Sequence, residues 1–203
     1  MHWLPPLRGA LATPLLLLAL QGCAAPMTAD TPRYPPPGHF PATMNRLKDG
    51  PYRFWQHNFG AYCFDTWGCR VAYGPHVVVD QPESRHFPAA GAERLALMHG
   101  GYIGLKNFQG PVVIDWRAAD RSPLHAELDL AQIFADGRMR YDVPDVEINP
   151  DASVPDPDIV LEVYDRTVRV YMKAFISLKR PRDPSNPHTN AVDDNVLVYE
   201  HNY

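Results

Sequence analysis

The strongest constraint on the fold is an alternation near the C-terminus. Between residues 167 and 179, Val168, Val170, Met172, Ala174, Ile176 and Leu178 occupy every second position. Thr167, Arg169, Tyr171, Lys173, Phe175, Ser177 and Lys179 fill the positions between them. A period of two puts the first set on one face of an extended strand and the second on the other. Upstream, Ile159, Leu161 and Val163 repeat the pattern, and only Asp165 and Arg166 separate the two runs. Such a pair reads as an antiparallel hairpin with one core-facing side and one largely wet side.

The rest of the body agrees with strands. Residues 69–73, 76–80, 112–116 and 196–199 are short β-branched or aromatic runs, and residues 52–57 alternate loosely. Gly, Pro, Asn or Asp bounds the runs, as expected of strands. The 22 prolines outnumber the 13 glycines, which argues against a mainly helical chain. Short helices are expected at 92–99, stopped by Gly100 and Gly101, and at 128–134. No internal repeat is visible. The expected fold is mainly β, an antiparallel β-sandwich or twisted sheet with one or two short helices.

The N-terminal part has a different character. Residues 1–22 carry a single charged side chain, Arg8, ahead of an apolar run, the pattern of a secretory signal peptide. Leu20, Gln21, Gly22 and Cys23 resemble a bacterial lipobox, which implies lipidation of Cys23 and cleavage before it. Ala24 follows without the aspartate that often marks inner-membrane retention, so the outer membrane is the expected destination. Several acyl chains anchor firmly, at about 0.8 kcal/mol per buried methylene. Six prolines lie within residues 24–43. That stretch reads as an extended tether spanning up to roughly 60 Å. The expected division is thus a lipoprotein signal peptide at 1–22, a lipidated cysteine and Pro-rich tether at 23–50, and a single β-rich domain at 51–203.

The two remaining cysteines, Cys63 and Cys69, flank five residues that include Trp67. In an oxidising periplasm they should form a disulfide that fixes a loop or hairpin and rigidifies Trp67. A charge feature lies downstream. Asp142, Asp145, Glu147, Asp151, Asp156 and Asp158 fall within seventeen residues that contain four prolines and no Lys or Arg. This stretch reads as a solvated acidic loop or as a stiff acidic surface for a basic partner patch. A calcium loop is the weaker alternative, because the required spacing of acidic residues is missing. Trp67, Asp145, Glu147, Asp151 and Asp156 are therefore the candidate partner-binding residues.

Signs of catalysis are sparse. The sequence contains no G-x-S-x-G elbow, H-E-x-x-H motif or Gly-rich phosphate loop. The nine histidines are scattered, and His76 with Asp80 or His125 with Asp129 are the pairings a fold-assembled site would use. No enzyme activity, cofactor or metal site is expected. With 19 basic against 23 acidic residues and no basic cluster, the chain is a poor nucleic-acid binder.

The segment from Pro157 to Ala174, with Glu162, Val163, Asp165, Arg166, Thr167, Val170, Tyr171, Met172, Lys173 and Ala174 in order, resembles the C-terminal stretch of a known group. The group comprises lipoproteins that act as immunity proteins against type VI secretion phospholipase effectors. The resemblance implies a non-catalytic periplasmic protein that binds a secreted lipase effector and blocks it, so protecting the producing cell. A structural or adaptor lipoprotein of the envelope, or of a secretion apparatus, is the alternative.

Overall fold

A computed structural model describes residues 46–203. The expected signal peptide, Cys23 and the tether up to residue 45 lie outside the described residues. Eleven strands are described: β1 (Gln56–Phe64), β2 (Thr66–Tyr73), β3 (His76–Phe87), β4 (Tyr102–Lys106), β5 (Val112–Arg117), β6 (Pro123–Leu128), β7 (Asp158–Tyr164), β8 (Thr167–Lys173), β9 (Ile176–Ser177), β10 (Ala191–Val192) and β11 (Asn195–Asn202). Two four-residue helices accompany them, α1 (Arg94–Leu97) and α2 (Leu130–Ile133). The protein is mainly β with short helices, as its sequence predicts.

Two sheets share one core. A five-stranded sheet runs β11-β8-β7-β1-β4 and a four-stranded sheet runs β3-β2-β5-β6; β9 and β10 form a separate pair. Alternate residues of both main sheets turn inward, Phe59, Ile159, Leu161, Val168 and Val170 from one and Val71, Tyr73, Ile114 and Trp116 from the other. At about 25 cal/mol per Å² of apolar surface removed from water, this shared interior is the main stabilising term.

The chain changes sheet at one residue. β1 ends at Phe64 and β2 begins at Thr66, and Asp65 between them has a φ of 51°. The Cys63–Cys69 disulfide spans this corner. It therefore joins two strands of different sheets, where a loop or hairpin was expected.

The β7–β8 hairpin forms as predicted, paired from Asp158↔Lys173 to Tyr164↔Thr167 around Asp165 and Arg166. Three details differ from the sequence reading. First, the five-stranded sheet is mixed: β1 and β7 run parallel. The chain builds the whole four-stranded sheet between them, and a crossover that long lets both strands enter in the same direction. Second, the alternation of 167–179 divides after Lys173. β8 pairs with β7 and β11, while Ile176 and Ser177 pair with β10.

Third, the outward side of the hairpin is not wet. Glu162 is fully buried and Tyr171 is 6% exposed. The segment 88–101, which contains α1, lies over them, with Met98 packed against Val160 and Tyr171. Arg94 from this strap and Arg169 from β8 both donate to the Glu162 carboxylate, which also accepts from Tyr171 Oη. The buried charge is thus paired on each side, as an ionised carboxylate out of water must be.

Residues 46–50, assigned from sequence to the end of the tether, pack on the body. Arg46 bridges Ser153, and Lys48 pairs with Asp151 at 2.6 Å.

Candidate functional site

Among the described residues, three non-glycine residues have left-handed backbone: Asp65 (φ 51°), Arg121 (φ 68°) and Asp165 (φ 49°). They sit in the β1–β2 corner, the β5–β6 loop and the β7–β8 turn, and hydrogen bonds join all three at one end of the molecule. Asp165 is the hub. Its amide donates to the Phe64 carbonyl, its carbonyl accepts from Trp116 Nε1 at 2.7 Å, and its carboxylate accepts from the Ala119 amide at 2.9 Å. Arg166 donates to Asp120 and to Ser122 Oγ, both at 2.7 Å. The Ser122 hydroxyl and amide, then Arg166, hold the Asp120 carboxyl down at about 2. Together these contacts pin the loop 118–122 to the hairpin turn.

That loop in turn holds Trp67. The indole Nε1 donates to the Ala119 carbonyl at 3.2 Å, and the Arg121 guanidinium lies 4.0 Å from the centroid of its ring. His86, opposite Trp67 in the strand register, brings its ring to 5.1 Å and pairs with Asp65 at 3.0 Å. The disulfide is two residues away. Trp67 is therefore held by the loop 118–122 and by His86 of β3, and a side chain immobilised before binding loses little entropy on binding.

Beside Trp67 the outer face of the four-stranded sheet forms a groove of about 590 Å³. One rung of the register crosses all four strands: Asp80, Arg70, Asp115 and His125 lie side by side. His125 Nδ1 contacts Asp115 at 2.8 Å, and Arg117 pairs with Glu83 at 2.7 Å. Gly68 forms part of the lining because β3 passes close over it; a Cβ there would meet Glu83 Cα at 2.7 Å. Trp67, Pro82, Pro123 and Leu124 supply the apolar part.

The acidic segment lies elsewhere. Val143, Ile148 and Val154 anchor it in the core, and a short 3-10 turn spans Asp145–Glu147. Asp145 accepts from Tyr141 Oη, Asp151 pairs with Lys48, and Asp158 is a clamp that accepts from Asn58 and from the Gly100 amide. Asp142, Glu147 and Asp156 are exposed. A concavity of about 540 Å³ there is lined by Val146, Glu147, Lys179, Arg180 and Arg182, so cations face the acidic turn. The surface is mixed in charge, and it shares no lining residue with the Trp67 groove. Among the described residues, no group of three or more His, Cys, Asp or Glu could hold a metal ion.

The histidine pairings suggested by the sequence do not form. His125 takes Asp115, while Asp129 caps α2 by accepting from the Ala131 amide. His76 packs on the Tyr102 ring at 5.1 Å. Sequence reasoning missed Arg121, Arg70 and the linking role of Asp165 and Arg166. The run Ala119, Asp120, Arg121, Ser122 does carry turn chemistry, and that signal alone could have marked the loop. Comparisons with protein-family models, with curated proteins and with solved structures return no match.

Proposed function

We propose that this protein is a periplasmic, lipid-anchored immunity protein that binds a secreted phospholipase or lipase and inhibits it. The carrying observation is the segment 157–174, which resembles immunity lipoproteins of that class and here folds as β7 and β8 with the turn that organises the Trp67 end. A motif with this placement sets the geometry of a surface, which is what an inhibitor acting by occlusion requires. Trp67, held by a hydrogen bond and a cation–π contact at the edge of a groove, supports the reading as a preformed aromatic anchor of the kind that dominates tight interfaces. A stable inhibitory complex needs an interface of about 1,600 Å², and the groove with its rim is one candidate for part of it.

The test is inhibition. The full-length protein, extracted in detergent, is mixed with the product of a lipase gene adjacent to its own, and phospholipid hydrolysis is followed with increasing inhibitor. Stoichiometric loss of activity with a stable complex on gel filtration is the expected result. Full lipase activity under excess protein overturns the reading and favours an adaptor lipoprotein.

A further inference from the structure

We propose that Arg121, Trp67 and the adjoining groove form a docking surface for a carboxylate-bearing loop of a protein partner; this rests on the inhibitory reading above and names the chemistry of its contact. Arg121 carries the argument. It is exposed, and its guanidinium makes no hydrogen bond or ion pair among the described residues. Its neighbours Arg117 and Arg166 are both committed, to Glu83 and to Asp120. An arginine at a φ of 68° is strained, because its Cβ crowds the backbone in a region that glycine enters freely. The position is nonetheless held firmly: the Arg121 amide donates to the Ala118 carbonyl at 2.8 Å, and Ser122 closes onto Asp120. Strain maintained by surrounding structure is typical of binding and catalytic sites.

The chemistry follows from the stack. A guanidinium over an indole is held in place while its N–H donors stay available, and those donors match the two oxygens of a carboxylate. In the groove, Glu83 and Asp115 are already engaged by Arg117 and His125. Among the described residues, Arg70 and Asp80, neighbours across the register, form no ion pair within 4.0 Å. Arg121 stands at the rim beside Trp67, outside the groove lining, and a carboxylate is the group that matches its open donors. Pro82, Pro123 and Leu124 offer room for an apolar side chain beside it. A concave groove suits a protruding loop; a bilayer is flat on this scale and would not enter it.

The test compares full-length wild type with Arg121→Gly, Trp67→Ala, Trp67→Phe and, as a remote control, Arg180→Ala. Glycine accepts the backbone at 121, so that variant keeps the fold while removing the side chain. One arm measures inhibition of the adjacent-gene lipase. A second arm follows Trp67 emission, taken as the difference between wild type and Trp67→Phe. It is titrated with a peptide alternating Glu and Phe, with its Lys–Phe counterpart, and with phosphatidylglycerol vesicles. Arg121→Gly is expected to weaken inhibition at least tenfold while Arg180→Ala leaves it unchanged. The Glu peptide, and neither of the other ligands, is expected to shift emission in wild type and not in Arg121→Gly. Inhibition that survives both Arg121→Gly and Trp67→Ala overturns the docking surface and leaves the inhibitory reading standing. If no lipase is inhibited, that reading fails and the second arm decides. A Glu-peptide response that requires Arg121 then keeps the surface for another acidic partner. No response, or a response to vesicles instead, overturns it.

Discussion

His57 couples a single buried ring to the pH dependence of the whole domain. It lies in β1 with no exposed surface, among Phe54, Tyr73 and Phe108. Asn107 donates its amide to the Phe54 carbonyl, which turns its oxygen towards His57 Nδ1 at 2.5 Å. His57 Nδ1 is thus the protonated nitrogen, and Nε2 has no partner among the described residues. Burial lowers the pKa from 6.5 to about 4, against the opposing hydrogen bond to Asn107. The unfolded chain therefore binds a proton below pH 6.5 that the folded chain refuses until about pH 4. Stability is fully present above pH 6.5 and falls as the pH drops through that window. At about 1.36 kcal/mol per pH unit, the loss between pH 8 and pH 5 should be about 2 kcal/mol. Urea unfolding at a series of pH values measures it, and His57→Leu should flatten that part of the curve. An unchanged slope in the variant would assign the loss to other groups.

The β7–β8 hairpin carries the densest burial, and its two sides fail in different ways. Val170 is fully buried in the shared core, so Val170→Asp places an unpaired carboxylate there and should cost about 4 kcal/mol or more. On sequence alone, Arg169→Asp would be mild, because that side reads as wet. The structure reverses this expectation: Arg169 donates to both Glu162 and Glu200, and charge reversal sets three carboxylates together. Breaking a buried pair costs about 3 kcal/mol. Denaturant midpoints for the two variants and for Arg169→Met separate the effects, since methionine keeps the stem and removes only the charge. The corner between sheets gives a second prediction at this scale. Reducing the Cys63–Cys69 bond should cost about 2 kcal/mol, the value expected for so short a loop in the chain-entropy model. Alkylation and intact-mass analysis of the unreduced protein should find neither thiol free.

For the molecule as a whole, the proposed anchor and the described fold belong to separate stretches of chain. Cys23 lies outside the described residues, and its proposed role as the lipidation site rests on the residues before it. Cys23→Ser should abolish incorporation of a labelled fatty acid while leaving the disulfide and the urea midpoint unchanged. Labelling equal to wild type would remove the anchor. Whatever depends on neighbours in the chain was legible from the sequence: the strand alternation, the two-residue turn at Asp165 and Arg166, both short helices, and the pairing of Cys63 with Cys69 across five residues. Period, turn chemistry and short-range closure are local, so sequence order expresses them directly. The parallel contact of β1 with β7, the strap over Glu162 and the convergence of Asp65, Arg121 and Asp165 on Trp67 were decided by tertiary structure alone. Each joins residues far apart in the chain. Alternation specifies that a strand has two faces, but not whether a distant segment will cover the second one. Burial, pairing and strain at this site belong to that covering, and only the packed sheets determine it.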